Sequence, residues 1–90
     1  MNISKTTINM AKRRGVSIEV MSDQCLGEVV EIARIEDGEV ADEYAALYVI
    51  KSDGMFFVNG CNSRIAEEFA YWIKDDATLR SHLDAISVFI

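Results

Sequence analysis

Polar and apolar residues alternate in one part of the chain and give way to an apolar run in another. Residues 16–21 alternate as a half-exposed strand does, because successive side chains of a strand point to opposite faces. Residues 44–51 form an apolar run whose β-branched and aromatic side chains fit a pleated, half-buried surface. Asp53-Gly54 separates this run from a second one at residues 55–58, which predicts a β-hairpin closed by a type I′ turn.

Two segments flanking these strands have helical spacing. Residues 1–14 predict a helix with Ser4 as N-cap and Gly15 just past its end, although a strand through residues 6–8 remains an alternative. Residues 62–75 predict a second helix, capped by Asn62 or Ser63. Apolar residues recur along it at spacings of three and four: Ile65, Ala66, Phe69, Ala70, Trp72 and Ile73.

The second helix and the residues after it are expected to complete the core. We expect Trp72 to lie in that core, so that Trp72→Ala is the most damaging single substitution. Asp75 and Asp76 then predict the start of a further helical segment. Its apolar positions are Leu79, Leu83 and Ile86. The apolar residues 88–90 are expected to dock on the core.

The segment from residue 25 to residue 45 allows two interpretations. As a strand, residues 28–36 lead into Asp37-Gly38, a second turn signal, and this agreement makes the strand the favoured prediction. As a helix capped by Ser22, the same residues place an apolar stripe on one side. Residues 39–43 are similarly ambiguous, because residues 40–45 also fit one helical turn.

The length of 90 residues predicts one domain, spanning residues 1–90. The elements predict an α+β fold: a small antiparallel sheet of three to four strands in a hairpin meander, packed by an N-terminal helix and by one or two C-terminal helices. No apolar run approaches the roughly 20 residues needed to span a bilayer. The N-terminus lacks the pattern of a signal peptide, and we therefore expect a cytoplasmic protein.

Charge is distributed unevenly along the chain. The first 18 residues carry four bases and no acid, whereas residues 19–43 carry nine acids and one base, Arg34. One interpretation is a solvated face that keeps the protein soluble. The other is a surface that docks on a basic protein partner. Seven acids are the protein-binding residues in that second interpretation: Glu28, Glu31, Glu36, Asp37, Glu39, Asp42 and Glu43.

The sequence has no recognisable motif for catalysis or for metal binding. His82, the only histidine, lies in a predicted helix, and we expect a structural side chain that faces solvent. Cys25 and Cys61 form no C-x-x-C motif, so we expect reduced, partly buried thiols. There is no glycine-rich phosphate loop and no G-x-S-x-G. We therefore predict a protein that is not an enzyme and uses neither a cofactor nor a metal.

One part of the sequence resembles a known family. Val-Ile-Lys-Ser at residues 49–52, followed by Phe-Ala-Tyr-Trp-Ile-Lys-Asp-Asp-Ala at residues 69–77, is similar to the hairpin and aromatic helix of small acidic phage anti-CRISPR proteins of the DNA-mimic class. The stretch from residue 49 to residue 77, which contains both segments, covers about a third of the chain. The resemblance implies a CRISPR-type or other nucleic-acid-binding complex as the protein partner, and it implies neither catalysis nor a cofactor.

Three functional hypotheses follow from these patterns. The first is a non-enzymatic inhibitor that docks an acidic surface on a larger, basic complex that handles nucleic acid. The net charge of −6 disfavours direct binding of nucleic acid by this chain. The second is a homo-oligomeric accessory protein that pairs through a strand edge or through residues 88–90. The third is a small DNA-binding regulator that uses the basic residues 12–14.

Overall fold

A computed structural model describes all residues, 1–90, as an antiparallel sheet with its helices packed on one side. The elements in chain order are α1 (Lys5–Arg13), β1 (Val16–Asp23), β2 (Gly27–Glu36), β3 (Glu39–Val40), β4 (Ala46–Lys51), β5 (Gly54–Gly60), α2 (Ser63–Glu68), β6 (Trp72–Ile73) and α3 (Asp76–Phe89). The predicted α+β fold, with an N-terminal and a C-terminal helix against an antiparallel sheet, is confirmed. Four of the strands are long, whereas β3 and β6 have two residues each.

The sheet is a meander in which the strands lie in the order β1-β2-β4-β5-β6, and β3 pairs with the far end of β2. The predicted strand over residues 28–36 is confirmed as β2, and the helical alternative is wrong. Asp37 (φ 52°) and Gly38 (φ 80°) form the turn between β2 and β3, as a type I′ turn requires. Residues 39–40 are extended, so the helical turn considered for residues 40–45 is also wrong.

The hairpin of β4 and β5 is confirmed, but its turn differs from the predicted one. Lys51 pairs with Gly54, so Ser52 and Asp53 occupy the two loop positions. Gly54 has a φ of 138°, which L side chains rarely adopt, and a Cβ added there would lie 2.6 Å from the backbone oxygen of Ile73. The glycine is required because β6 passes close to the end of the turn.

The two longer helices begin at the predicted caps. The Ser4 hydroxyl accepts a hydrogen bond from the Thr7 backbone N–H (3.2 Å) at the start of α1, and Gly15 (φ 75°) follows its end. The Asp75 carboxylate accepts from the Thr78 backbone N–H (2.8 Å) at the start of α3. These bonds satisfy donors that the first turn of a helix leaves without partners.

The predicted helix over residues 62–75 is correct only in its first half. Asn62 caps α2 by accepting from the Ile65 backbone N–H (3.0 Å), but the helix ends six residues later. Phe69 is already extended (φ −79°, ψ 141°), and residues 72–73 join the sheet as β6. Long-range pairing with β5 and the Tyr48 hydroxyl, which donates to the Ala70 carbonyl (2.6 Å), hold this segment out of the helix.

Trp72 is therefore placed differently from the prediction. Its side chain is 50 % exposed, and its indole N–H donates to the Asp53 carbonyl (3.0 Å) at the hairpin turn. The expectation that Trp72 lies in the core is wrong, which removes the basis for expecting Trp72→Ala to be the most damaging substitution.

The core lies between the helices and one face of the sheet. Fifteen buried residues form it: Ile3, Ala11, Val16, Ile18, Val30, Ile32, Ala46, Tyr48, Met55, Ile65, Phe69, Ile73, Leu79, Leu83 and Ile86. The α3 positions predicted from helical spacing are thus confirmed. Phe89 and Ile90 pack against this core as expected, whereas Val88 is exposed. None of the helices has both the length and the apolar character needed to cross a membrane.

A polar clasp joins the first turns of α1 and α3. The Asp76 carboxylate accepts from the Ser4 backbone N–H (3.0 Å), from the Ser4 hydroxyl (2.9 Å) and from Arg80 Nη2 (2.9 Å). Arg80 Nε donates in turn to the Thr7 hydroxyl (3.2 Å). Partial burial raises the pKa of Asp76, but the donors from Ser4, Thr7 and Arg80 outweigh it and lower that pKa to about 2.

Candidate functional site

The structure divides the seven predicted acids into three groups. Glu31, Asp42 and Glu43 come together where the loop after β3 folds back beside the end of β5. A second group of three lies at the hairpin between β2 and β3: Glu36, Asp37 and Glu39. Glu28 lies at the other end of β2, about 26 Å from Glu36 at the usual rise of a strand. The seven acids therefore do not form one continuous binding face.

The acids at the hairpin differ in their surroundings from those beside β5. Glu36 forms an ion pair with Arg34, which already neutralises the charge of Glu36. All three side chains at the hairpin are exposed. Exposed charges are screened by water and salt, which weakens any role in binding that rests on these three alone.

The first group lines an open hollow in the surface, the acidic depression, with a volume of about 460 Å³. Its lining residues are Glu31, Asp42, Glu43, Tyr44, Asn59, Gly60 and Cys61. Three of them are carboxylates, and no base lines the hollow. Asn59 Nδ2 donates to the Tyr44 hydroxyl (3.0 Å), which links the loop to β5 and fixes one wall. The depression is built to receive hydrogen-bond donors and positive charge.

A second hollow of about 450 Å³ adjoins the acidic depression and is mostly apolar. The two share Glu43, Tyr44 and Cys61. Apolar side chains such as Ile65 and Phe89 line most of the rest of the second hollow, together with Arg34 and Asn62. A group with a charged end and an aliphatic stem could therefore contact both hollows at once, as the side chains of lysine and arginine can.

The face of the sheet opposite the core, the open face, carries an unfavourable pair of charges. Glu19 on β1 lies directly opposite Glu31 on β2, and neither forms a salt bridge. Like charges directly opposite each other on neighbouring strands destabilise a sheet. Within this chain, no salt bridge offsets the repulsion between Glu19 and Glu31, so a basic group of a partner could do so.

Next to this pair, an apolar row crosses the open face. The register places five residues side by side on successive strands of the sheet: Met21, Val29, Val49, Phe56 and Trp72. None of them belongs to the core beneath the helices. Val29 is buried, and the other four are half-buried or exposed. The row gives the open face an apolar strip beside its acidic pair.

Aromatic rings concentrate at the β6 end of the apolar row. The rings of Phe56 and Trp72 stack with 6.4 Å between centroids, and Tyr71 meets Phe56 edge-on at 6.1 Å. Tyr71 is 71 % exposed and Trp72 is 50 % exposed. Exposed tyrosine and tryptophan are enriched among the residues that dominate the energy of protein interfaces.

Neither Glu19 nor the apolar row was predicted from the sequence as part of a binding surface. Glu19 was counted in the acidic block but not among the binding residues, because its distance from Glu31 depends on the register of β1 and β2. The apolar row had a visible signal in residues 44–50, where apolar side chains occupy both parities of the strand. Strands that are apolar on both faces are typical of sheets covered on both sides.

The remaining candidates of the sequence analysis are mostly exposed or already paired. Cys25 and Cys61 are free thiols and both are exposed, so the expectation of partial burial is wrong. His82 is half-buried beside α2 and β6, and it does not face solvent fully. The basic residues 12–14 end α1, where Arg14 Nε already contacts Asp84 Oδ1 at 2.6 Å. The structure contains no group of three or more His, Cys, Asp or Glu arranged to hold a metal ion.

Comparisons of this chain with protein-family models, with curated proteins and with solved structures find no match.

Proposed function

We propose that the chain is a non-enzymatic binding protein that docks an acidic surface on a larger, basic protein partner. One observation carries the proposal: Glu31, Asp42 and Glu43 line a hollow of about 460 Å³ that no basic residue lines. Carboxylates gathered in one concave site attract a cation more strongly than scattered carboxylates do, because their electric fields add there. A lysine or arginine side chain of a partner matches this chemistry.

The surroundings of the depression support recognition of a protein surface over the chemistry of an enzyme. The depression is open to solvent, and its polar lining groups are carboxylates, an asparagine, a tyrosine and the thiol of Cys61. No histidine, lysine or arginine lines it that could activate this thiol. Asp42 and Glu43 are exposed and Glu31 is half-buried, so all three can reach a partner without a conformational change.

The partner class that we propose is a complex that handles nucleic acid, with inhibition as the outcome. Such complexes carry lysine- and arginine-lined grooves for phosphate, and a rigid acidic surface competes for those grooves. The resemblance of residues 49–52 and 69–77 to DNA-mimic anti-CRISPR proteins supports the same class. The aromatic helix of that resemblance is not formed here, because α2 ends at Glu68 and α3 begins at Asp76. The proposal therefore rests on the acidic depression.

The test compares two triple variants with equal net charge. Glu31→Lys/Asp42→Lys/Glu43→Lys reverses the depression, whereas Asp53→Lys/Glu67→Lys/Glu68→Lys reverses three exposed acids elsewhere. Each tagged protein is incubated with a bacterial lysate at low salt and then washed at high salt, and the retained proteins are identified by mass spectrometry. Both variants are first checked for native circular dichroism.

The proposal expects the wild type and the control variant to retain the same nucleic-acid-binding complex, with release at high salt because exposed charges are screened beyond about 8–10 Å. It expects the depression variant to lose that complex. Equal retention by both variants would contradict the proposal. So would recovery of the chain alone, at a mass above that of a monomer, which would support the homo-oligomeric alternative.

A further inference from the structure

We propose that the open face of the sheet receives a basic amphipathic α-helix of the partner, laid across the strands along the apolar row. The inference rests on the proposed function and names the structural element that the partner contributes. Its apolar contacts, chiefly Met21, Phe56 and Trp72, lie outside the acidic depression, and Glu31 is the one residue that both sites share. The two proposals can therefore fail separately.

The dimensions of the apolar row set the length of that helix. The row runs over five neighbouring strands, and the usual spacing between strands makes it about 19 Å long. A helix that rises 1.5 Å per residue covers this length in about 13 residues. Apolar side chains at spacings of three and four then form one stripe that lies over the row.

The position of the charges favours a helix over an extended segment. Glu19 and Glu31 lie beside the apolar row, on the same face of the sheet. A helix can present an apolar stripe with lysine or arginine on its flank, which places the basic groups over these two acids. In an extended segment the residues that alternate with the apolar ones point away from the sheet, so they cannot reach the acids.

The charge of the open face also distinguishes between occupants. Glu19, Asp23 and Glu31 face outward on the same side of the sheet as Lys51. A second copy of this chain would bring the same net negative charge against it. A single-stranded nucleic acid could stack on the aromatic rings, but its phosphates would be repelled by the acids. A protein segment with basic and apolar side chains complements the negative charge of the open face and packs on its apolar row.

Acids lie at one end of the open face and aromatic rings at the other, and this arrangement predicts the direction in which the helix lies. Its basic residues belong near β1 and β2, where the acidic pair is, and its bulkiest apolar side chains belong near β6. There Trp72 and Tyr71 are exposed and offer a broad aromatic surface. Trp72 is the only tryptophan of the chain, so its fluorescence reports occupation of this end directly.

The test uses a synthetic peptide of about 14 residues, made of leucine, lysine and alanine, with a leucine stripe flanked by lysine along one helical face. A scrambled peptide of the same composition is the matched ligand. We expect a saturable blue shift of the Trp72 emission with the amphipathic peptide, and an affinity about tenfold higher than that of the scrambled peptide. Equal responses to both peptides would overturn the inference.

Protein variants locate the binding site by anisotropy of the fluorescein-labelled peptide. We expect Trp72→Ser and Met21→Lys each to weaken binding about fivefold or more, since they act at opposite ends of the row. Met21 is half-buried on an edge strand, where a lysine stem is tolerated. Val88→Lys is the control, because Val88 is 72 % exposed on α3, an element packed on the other side of the sheet.

Three other results would overturn the inference. Unchanged binding in both row variants would overturn the inference while leaving the acidic depression untouched. Tighter binding of a labelled oligothymidine than of the peptide, in the same low-salt buffer, would overturn it in favour of nucleic acid. A mass that rises with protein concentration in the wild type but not in Met21→Lys, in the absence of peptide, would assign the open face to a second copy and overturn the inference.

Discussion

The clasp between α1 and α3 makes a specific prediction about Asp76→Asn. The substitution preserves the shape of the side chain but removes its charge, and it replaces one acceptor oxygen by a donor. Asp76 accepts from both the backbone N–H and the hydroxyl of Ser4, so an amide nitrogen would face a donor at one of these positions. Arg80 would also lose its anionic partner.

The size of the expected loss of stability follows from the pKa of Asp76 and from the exposure of its side chain. A fall of that pKa from 3.8 to about 2 corresponds to roughly 2 kcal/mol of stability at neutral pH. Because 21 % of the side chain is exposed, solvent screens part of this effect. We therefore expect Asp76→Asn to lower the free energy of unfolding by about 1–2 kcal/mol at pH 7.

The same residue gives the stability a pH dependence with a defined sign. The pKa is lower in the folded than in the unfolded state, so between about pH 4 and pH 2 the unfolded state binds more protons. The contribution of Asp76 is complete above that window and is lost as the pH falls through it. The difference in stability between wild type and Asp76→Asn should therefore shrink on acidification.

Urea denaturation followed by circular dichroism, at pH 7 and at intervals down to pH 2, measures both effects. Glu67→Gln is the matched control, because Glu67 is exposed on α2 and its side chain forms no hydrogen bond. A loss in Asp76→Asn no larger than in this control would refute the reasoning. A loss of the same size at pH 2 and at pH 7 would show that packing, and not charge, is responsible.

Three further predictions concern stability, each measured by the urea midpoint. Tyr48→Phe should lower the free energy of unfolding by about 1–2 kcal/mol because it leaves the partly buried carbonyl of Ala70 without its donor, and an unchanged midpoint would show that water replaces that bond. Gly54→Ala should cost about 1–3 kcal/mol through its positive φ and the nearby backbone oxygen, whereas Gly38→Ala, with open space around it, should cost less. Trp72→Ala should cost less than Leu79→Ala, for which about 2–5 kcal/mol is expected of a fully buried leucine, and the reverse order would restore Trp72 to the core.

The local signals of the sequence predicted most of the elements. The period of two along residues 16–21, the turn at Asp37-Gly38 and the caps Ser4 and Asp75 all lie where the structure has them. Each of these features depends on residues within a few positions of one another. Local preferences determine the structure at these positions because no tertiary contact opposes them.

The segment after residue 68 was mispredicted because its local pattern is compatible with both helix and strand. Residues 69–73 carry apolar side chains at spacings that fit either element. Pairing of Trp72 with Phe56 and the bond from Tyr48 decide between them, and both partners lie far away in sequence. The preference is therefore imposed by tertiary contacts, which a local pattern does not contain.

The candidate site was predictable in its chemistry but not in its geometry. Three of the seven chosen acids meet in the acidic depression, because the loop after β3 returns toward the end of β5. The backbone N–H of Cys61 donates to the Ala45 carbonyl (2.9 Å) and fixes that return. Nothing in the spacing of the acids along the chain indicates which of them this bond brings together.

The strand order of the sheet has a consequence for how the chain acquires its structure during synthesis. Each long strand pairs with the long strand before it, so a strand that leaves the ribosome finds its partner already present. The helix α1 is different, because its partner residue Asp76 is synthesised 72 positions after Ser4. The helix α1 can pack on β1 early, but the part of its surface that contacts α3 stays uncovered until α3 emerges, and this interval is when the nascent chain is most exposed to aggregation.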